Sequence, residues 1–132
     1  MVEIALLMIF SHVIADYVVQ PVCLSQMKCK SWWIKECEKN NVDFKEYQSD
    51  YIVALIMHSI SWAIMILMPV MFLMDVNDWL LLKLFLINTA VHAIVDDLKA
   101  NRYKLNLWTD QFIHIWQMLI TFYIVTFNPT LI

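Results

Sequence analysis

Glycine is absent from this chain of 132 residues. A chain without glycine cannot form the nucleotide-binding P-loop, the dinucleotide-binding fingerprint or another glycine-rich loop that cradles phosphate. Charge is scarce as well, because only 16% of the residues are Asp, Glu, Lys or Arg, whereas 61% are hydrophobic. So little polar surface could not cover a compact water-soluble domain. We therefore expect the lipid bilayer to be the solvent of most of the surface.

Cysteine is also sparse, and its three positions form no recognisable motif. Cys23, Cys29 and Cys37 fall in one short stretch without the C-x-x-C spacing of a metal or redox site. We expect reduced, unpaired thiols, with reversible palmitoylation as the alternative. The net charge of −3 says little about orientation in a membrane. We expect no nucleic-acid partner.

Four apolar stretches are long enough, or nearly so, to cross a membrane as helices. They cover about 4–20, 51–74, 79–98 and 108–127, and each crossing needs roughly 20 residues. The first stretch follows no basic region and precedes no A-x-A site, so we interpret it as a retained span and not a signal peptide. The sequence predicts a single domain over 1–132 with an all-α fold, an integral membrane four-helix bundle.

Lysine and arginine are almost confined to two of the connections between these stretches. Five lysines lie in the connection over 21–50, and Lys99, Arg102 and Lys104 lie between the last two spans. By the positive-inside rule both connections are cytoplasmic and both termini are external. We therefore predict a multi-pass protein of the cell inner (plasma) membrane.

The cytoplasmic connection over 21–50 begins with a mixed pattern of apolar and basic residues. Leu24, Met27 and two tryptophans alternate there with Lys28 and Lys30. This pattern predicts an interfacial amphipathic segment after the first span, since tryptophan favours the membrane interface. A plain solvated connection is the alternative.

All four histidines lie inside the apolar stretches. Three of them are four residues from an aspartate, so each pair shares one helix face. The pairs are His12 with Asp16, His92 with Asp96 and Asp110 with His114, and the fourth histidine is His58. Ionisable side chains within a membrane-length helix are costly and indicate a functional site by default.

Depth in the membrane brings these residues to common levels. Counted from the cytoplasmic end of each span at 1.5 Å per residue, all four histidines lie roughly 9–12 Å deep and the three aspartates roughly 3–6 Å deep. The lysines that determine the orientation are independent of the histidines. The coincidence of level therefore favours a single site toward the cytoplasmic face.

Histidine and carboxylate side chains on facing helices are the usual ligands of a metal ion within a bundle. Together they suit a divalent metal ion, Zn, Mn or Fe, without choosing among them. The predicted ligands are His12, His58, His92, Asp96 and His114, and the predicted general bases are Asp16 and Asp110. A proton or ion relay, a purely structural hydrogen-bond network and a bis-histidine haem are the alternatives.

Four segments of the chain resemble a known family. They are H-V-I-A-D-Y-V-V-Q-P over 12–21, the span around His58, H-A-I-V-D-D-L-K-A over 92–100 and D-Q-F-I-H over 110–114. In this order they are similar to the domain-of-unknown-function family numbered 3307, small polytopic membrane proteins of bacteria and their phages. The resemblance covers most of the chain outside 22–49 and implies four helices with an intramembrane polar site. More distantly, the chain is similar to inner-membrane proteins described as metal-dependent hydrolases.

These features together predict a membrane-bound, metal-dependent hydrolase of an amphiphilic or phosphoester substrate. Lys99, Arg102 and Lys104 are predicted to bind a phosphate or an anionic lipid headgroup, and Gln20 and Gln111 are further candidates for substrate binding. The alternatives are a proton or metal-ion transport module and a non-enzymatic membrane subunit whose cytoplasmic connection binds a partner. A homo-oligomer or a membrane-protein partner is compatible with so small an apolar bundle.

Overall fold

The computed structural model describes residues 2–127, and these residues form helices joined by short connections. The all-helical prediction is confirmed. The elements are α1 (Val2–Ile14), a π-helical turn (Ala15–Val19), α2 (Val22–Met27), α3 (Lys30–Asn40), α4 (Phe44–Tyr47), α5 (Asp50–Leu73), α6 (Asp78–Ala100) and α7 (Leu107–Phe127).

Polar side chains begin several of these helices, and asparagine ends one where glycine is usual. The side chain of Asn77 accepts a hydrogen bond from the backbone nitrogen of Trp79 at the start of α6. Asn106 does the same for Thr109 at the start of α7. At the end of α3, Asn41 adopts a left-handed backbone with φ of 54°. Asparagine tolerates this conformation better than other residues, so it replaces the missing glycine.

The four longest helices pack in a ring, in which α1 contacts α5, α5 contacts α6, α6 contacts α7 and α7 contacts α1. Helices α2 and α3 lie against α5 at one end of this ring. That end also holds the connection between α6 and α7. We call it the basic end because eight of the nine Lys and Arg residues lie there, five over 21–50 and three over 99–104. The other half of the ring interior is apolar, with Met8, Trp62, Ile66, Val70 and Val125 almost completely buried.

Large apolar side chains are exposed on the outside of the ring, and several ionisable side chains are buried inside it. Phe10, Phe72 and Phe112 are each at least 60% exposed, whereas His92, Asp110 and His114 are fully buried. Within the described residues, two helical stretches are long and apolar enough to cross a membrane, Phe44–Leu73 and Asp78–Ala100.

The first and last predicted spans do not reach that standard, for different reasons. Helix α1 has only 13 residues before its backbone widens into the π-helical turn. Helix α7 has 21 residues, but its first half carries Asp110, Gln111, His114 and Gln117, which lower its hydropathy. Four helices therefore pack together, and two of them have the character of membrane spans.

Two local features differ from the predicted pattern. The π-helical turn Ala15–Val19 interrupts the first span, so His12, Asp16 and Gln20 do not follow a regular α-helical stripe. The predicted interfacial segment is helical but broken between α2 and α3, with Lys28 ending α2 and Cys29 in extended conformation. This break matters because it turns Lys28 toward the bundle.

Candidate metal centre

Six side chains meet inside the ring near its basic end, and we call them the His/Asp layer. They are Asp16 from the π-helical turn, His58 from α5, His92 and Asp96 from α6, and Asp110 and His114 from α7. The three imidazoles are no more than 3% exposed. Asp16 is the most open member, with 12% of its side chain exposed.

The first part of the layer joins the π-helical turn, α5 and α6. His58 Nε2 lies 3.1 Å from His92 Nε2 and 3.6 Å from Asp16 Oδ1. One potential ligand atom from each of these three residues lies within 4.8 Å of the other two. This group brings together three residues that are far apart in the sequence.

The second part of the layer joins α6 and α7. His92, Asp96 and His114 again offer three potential ligand atoms within 4.8 Å of one another. His114 Nε2 lies 3.5 Å from Asp96 Oδ1 and 3.5 Å from Asp110 Oδ1. His92 belongs to both groups, so it lies at the centre of the layer.

These separations suit metal ligands better than hydrogen bonds. Two ligand atoms about 2.0–2.2 Å from a tetrahedral Zn²⁺ lie about 3.3–3.6 Å apart. Most of the His–Asp distances are 3.5–3.8 Å, longer than the 2.7–3.2 Å of ordinary N–H···O bonds. Within residues 2–127, His114 Nε2, Asp16 Oδ1 and Asp110 Oδ1 are buried atoms without a hydrogen-bond partner. Unpartnered buried polar atoms are costly, and a cation held by His92, Asp96 and His114 would give His114 Nε2 a partner.

His12 lies beside the layer, and the protein itself occupies both of its ring nitrogens. Trp62 Nε1 donates to His12 Nδ1 at 2.8 Å. Because Nδ1 accepts, Nε2 carries the proton and donates to Gln111 Oε1 at 3.1 Å. Gln111 Nε2 in turn donates to Asp110 Oδ2 at 3.0 Å. His12 is in neither group of potential ligands among the described residues. It instead helps to orient Asp110 through Gln111.

Two lysines enter the layer from the basic end. Lys28 Nζ lies 2.6 Å from Asp96 Oδ2, and the exposed fractions of the two side chains are 15% and 5%. Lys99 Nζ lies 2.6 Å from Asp110 Oδ2. Among the residues that the structure describes, no lysine or arginine lies within ion-pair distance of Asp16. Asp16 is therefore the aspartate of the layer that keeps both oxygens free of an ammonium group.

The residues predicted to bind substrate separate into two sets. Lys99 and Gln111 contact the layer through Asp110. Arg102 instead donates to Asp97 Oδ2 at 2.7 Å outside the layer, and Lys104 is exposed. Gln20 is half-buried, and its amide nitrogen has no hydrogen-bond partner within the described part of the chain.

Sequence reasoning missed two residues that shape the layer, Trp62 and Lys28. Trp62 is completely buried, stacks on His92 with ring centroids 4.2 Å apart and meets His12 edge to face. Its position four residues after His58, on the same helix face, was the available signal. Lys28 gave no such signal, because it lies in a connection without clear periodicity.

A second polar cluster continues one turn deeper, away from the basic end. Gln117 Nε2 donates to Asn88 Oδ1 at 2.9 Å, and Asn88 Nδ2 donates to Thr121 Oγ1 at 3.0 Å. Beyond this cluster on α6, Leu84 and Leu80 are buried apolar residues. The polar side chains of the His/Asp layer and of this second cluster therefore do not continue to the other end of the ring in the described structure.

Searches against protein-family models, curated proteins and solved structures found no match to this chain. The resemblance to family 3307 therefore stays a prediction.

Proposed function

We propose that the chain is a membrane protein with one divalent metal ion in the His/Asp layer, and that it acts as a metal-dependent hydrolase. The observation that carries the proposal is that neighbouring His and Asp ligand atoms lie about as far apart as two ligands of one metal ion. Three buried polar atoms of the layer also have no hydrogen-bond partner within the described residues. His92, Asp96 and His114 form the most buried set of ligands. The exposed apolar faces and the two long apolar helices support a four-span arrangement in the inner membrane, with the basic end toward the cytoplasm.

When bound, a divalent ion supplies Lewis acidity that polarises a phosphoryl or carbonyl oxygen and activates water for attack. The protein contributes position and proton transfer. Among the described residues Asp16 has no ammonium partner; it is also the most open carboxylate of the layer and lies beside His58. It can therefore accept a proton from an attacking nucleophile. Lys99 and Gln111 hold Asp110 by one oxygen and leave its other oxygen directed at His114.

An amphiphilic substrate suits this location. The layer lies near the end of the ring where the basic connections and the exposed Trp108 would meet the membrane interface. A proton or ion relay would need polar groups that continue through the ring. The polar side chains inside the ring end at buried leucines in the described structure, so the hydrolase is the better proposal.

The test is the metal content of the detergent-purified full chain, measured by elemental mass spectrometry. We expect about one equivalent of Zn, Mn or Fe in the wild type and much less in His92→Ala/Asp96→Ala. Ser59→Ala is the matched control, because Ser59 is fully buried beside His58 and bonds only its own helix. Metal-free wild-type protein after reconstitution, or equal metal in the double variant, would exclude the proposed centre. Hydrolysis of a phosphomonoester by the loaded wild type, lost in Asp16→Asn, would then support the reaction.

A further inference from the structure

The balance of charge in the His/Asp layer identifies a class of ligand. Three carboxylates, Asp16, Asp96 and Asp110, face two ammonium groups, Lys28 and Lys99. The imidazoles must be neutral to bind a metal ion. With a divalent ion bound, the layer then has one more positive than negative charge.

An unbalanced positive charge between buried side chains is unfavourable unless an anion accompanies it. Asp96 is shared here, because it is a potential ligand of the ion and the partner of Lys28 at 2.6 Å. The ion and the ammonium group would repel each other across this one carboxylate. An anion that contacts both would relieve the repulsion, and lysine commonly binds phosphate as a point charge.

Lys28 is held in place by the backbone around it. Asn101 at the end of α6 donates its side-chain nitrogen to the carbonyl oxygen of Lys28 at 3.1 Å. The same side chain accepts from the backbone nitrogen of Lys30 at 2.7 Å. Trp33 Nε1 donates to the carbonyl oxygen of Met27 at 2.7 Å. These bonds fix the backbone on both sides of Lys28, whose side chain reaches Asp96 inside the ring.

An apolar cleft of about 400 Å³ begins at the residue before Lys28. It lies between the α2–α3 segment and α5, and its lining includes Leu24, Met27, Trp33, Val53 and Met57. Asp50 and Ser61 are the polar residues of its lining. An acyl chain attached to a phosphate group at Lys28 would find its nearest apolar cleft here, beside Met27.

We propose, on the basis of the metal centre proposed above, that Lys28 and the bound ion together form a site for a phosphate group. Binding of metal and of phosphate is then cooperative, because the layer becomes an anion site only when the ion is present. Lys28 contacts the phosphate group directly, and Asn101 acts as a positioning residue. Arg102, which was predicted for this role, is engaged by Asp97.

The test is phosphate affinity of the full chain in lipid nanodiscs, with and without one equivalent of metal, by isothermal titration calorimetry. Inorganic phosphate is one probe, and a short-chain phosphatidic acid is the other, with phosphatidylcholine as blank. We expect metal to increase the affinity for at least one phosphate probe tenfold or more. Lys28→Met should remove that increase without lowering metal content, and Lys28→Arg should restore part of it. Lys35→Met is the matched control, since Lys35 is an exposed lysine of α3.

Each result bears on the proposal. Tight binding of phosphatidic acid alone supports a lipid headgroup, and binding of both probes supports the phosphate group itself as the ligand. Metal without any phosphate binding, or phosphate binding unchanged in Lys28→Met, overturns this inference and leaves the metal centre standing. Absence of metal from the wild type overturns both. If Lys28→Met does not fold, Asn101→Ala takes its place and should weaken phosphate binding through the displaced Lys28.

Discussion

Trp62 offers the sharpest test of how the layer is held together. It is completely buried, its indole nitrogen donates to His12 Nδ1 at 2.8 Å, and its ring stacks on His92. Replacement by phenylalanine keeps an aromatic ring but leaves a buried acceptor on His12 without a donor. That loss costs about 1–3 kcal/mol. The smaller ring also leaves a space on the order of 40 Å³, which adds about 1 kcal/mol.

We therefore expect Trp62→Phe to lower the free energy of unfolding by about 2–4 kcal/mol. The measurement is denaturant unfolding in detergent micelles followed by circular dichroism, which does not depend on the removed fluorophore. Trp79→Phe is the control, because Trp79 is 67% exposed and should change stability by no more than about 0.5 kcal/mol.

A double-mutant cycle separates the hydrogen bond from the change in volume. If the bond matters, Trp62→Phe should cost less in a His12→Phe background, because no buried acceptor is then left unpaired. A Trp62→Phe protein as stable as wild type would refute the account of His12 as a neutral side chain fixed by Trp62. Equal costs in the two backgrounds would restrict the role of Trp62 to packing.

Three further predictions concern other parts of the molecule. Thr121→Val should lower the free energy of unfolding by about 1 kcal/mol, because Thr121 bonds Asn88. Thr126→Val should lower it less, because Thr126 Oγ1 has no partner within the described residues. Unfolding of both variants in one detergent compares them, and equal losses of stability would contradict this prediction. Burial raises the pKa of the Cys29 thiol, so at pH 7.5 N-ethylmaleimide should modify Cys29 more slowly than the exposed Cys23. The rate at Cys29 should increase as the pH approaches its raised pKa. Equal rates at the two cysteines, measured by mass spectrometry, would contradict this prediction. The predicted orientation can be tested in a protein whose native cysteines have been replaced. Asp75→Cys should react with a membrane-impermeant maleimide in intact cells, whereas a restored Cys23 should react only after the cells are permeabilised. The opposite pattern would reverse the predicted orientation.

Much of the arrangement could be predicted because helical spacing determines which side chains share a face. His92 and Asp96 are four residues apart, and the structure places them together as the spacing required. Asp110 and His114 follow the same rule. Matching these faces across the bundle needed only the alternating direction of the spans. The meeting of α6 and α7 at His114 and Asp96 is the result.

Other features depend on geometry that a residue pattern does not contain. The π-helical turn changes the register after Ile14, so the position of Asp16 against His58 could not be calculated from a regular helix. The partners of His12 depend on Trp62 and Gln111, which belong to two different helices. Lys28 contacts Asp96, which is 68 positions away in the sequence. A long side chain at a helix break can turn inward or outward, so the sequence pattern does not predict this contact.

The missing glycines bear on how closely the helices approach one another around the layer. Membrane helices commonly use small residues at their contacts, and glycine is the smallest. Here Ser59 and Ala63 are both completely buried on α5, four residues apart, with Trp62 between them. Ser59 satisfies its hydroxyl on the carbonyl oxygen of Leu55, so it behaves as a small residue without a polar demand on its neighbours. Helix α1 packs against α5, and Trp62 reaches His12 across this contact at 2.8 Å. The polar pattern predicts which residues could form the layer, and the packing of α5 against α1 and α6 brings Trp62 to His12 and His58 to His92.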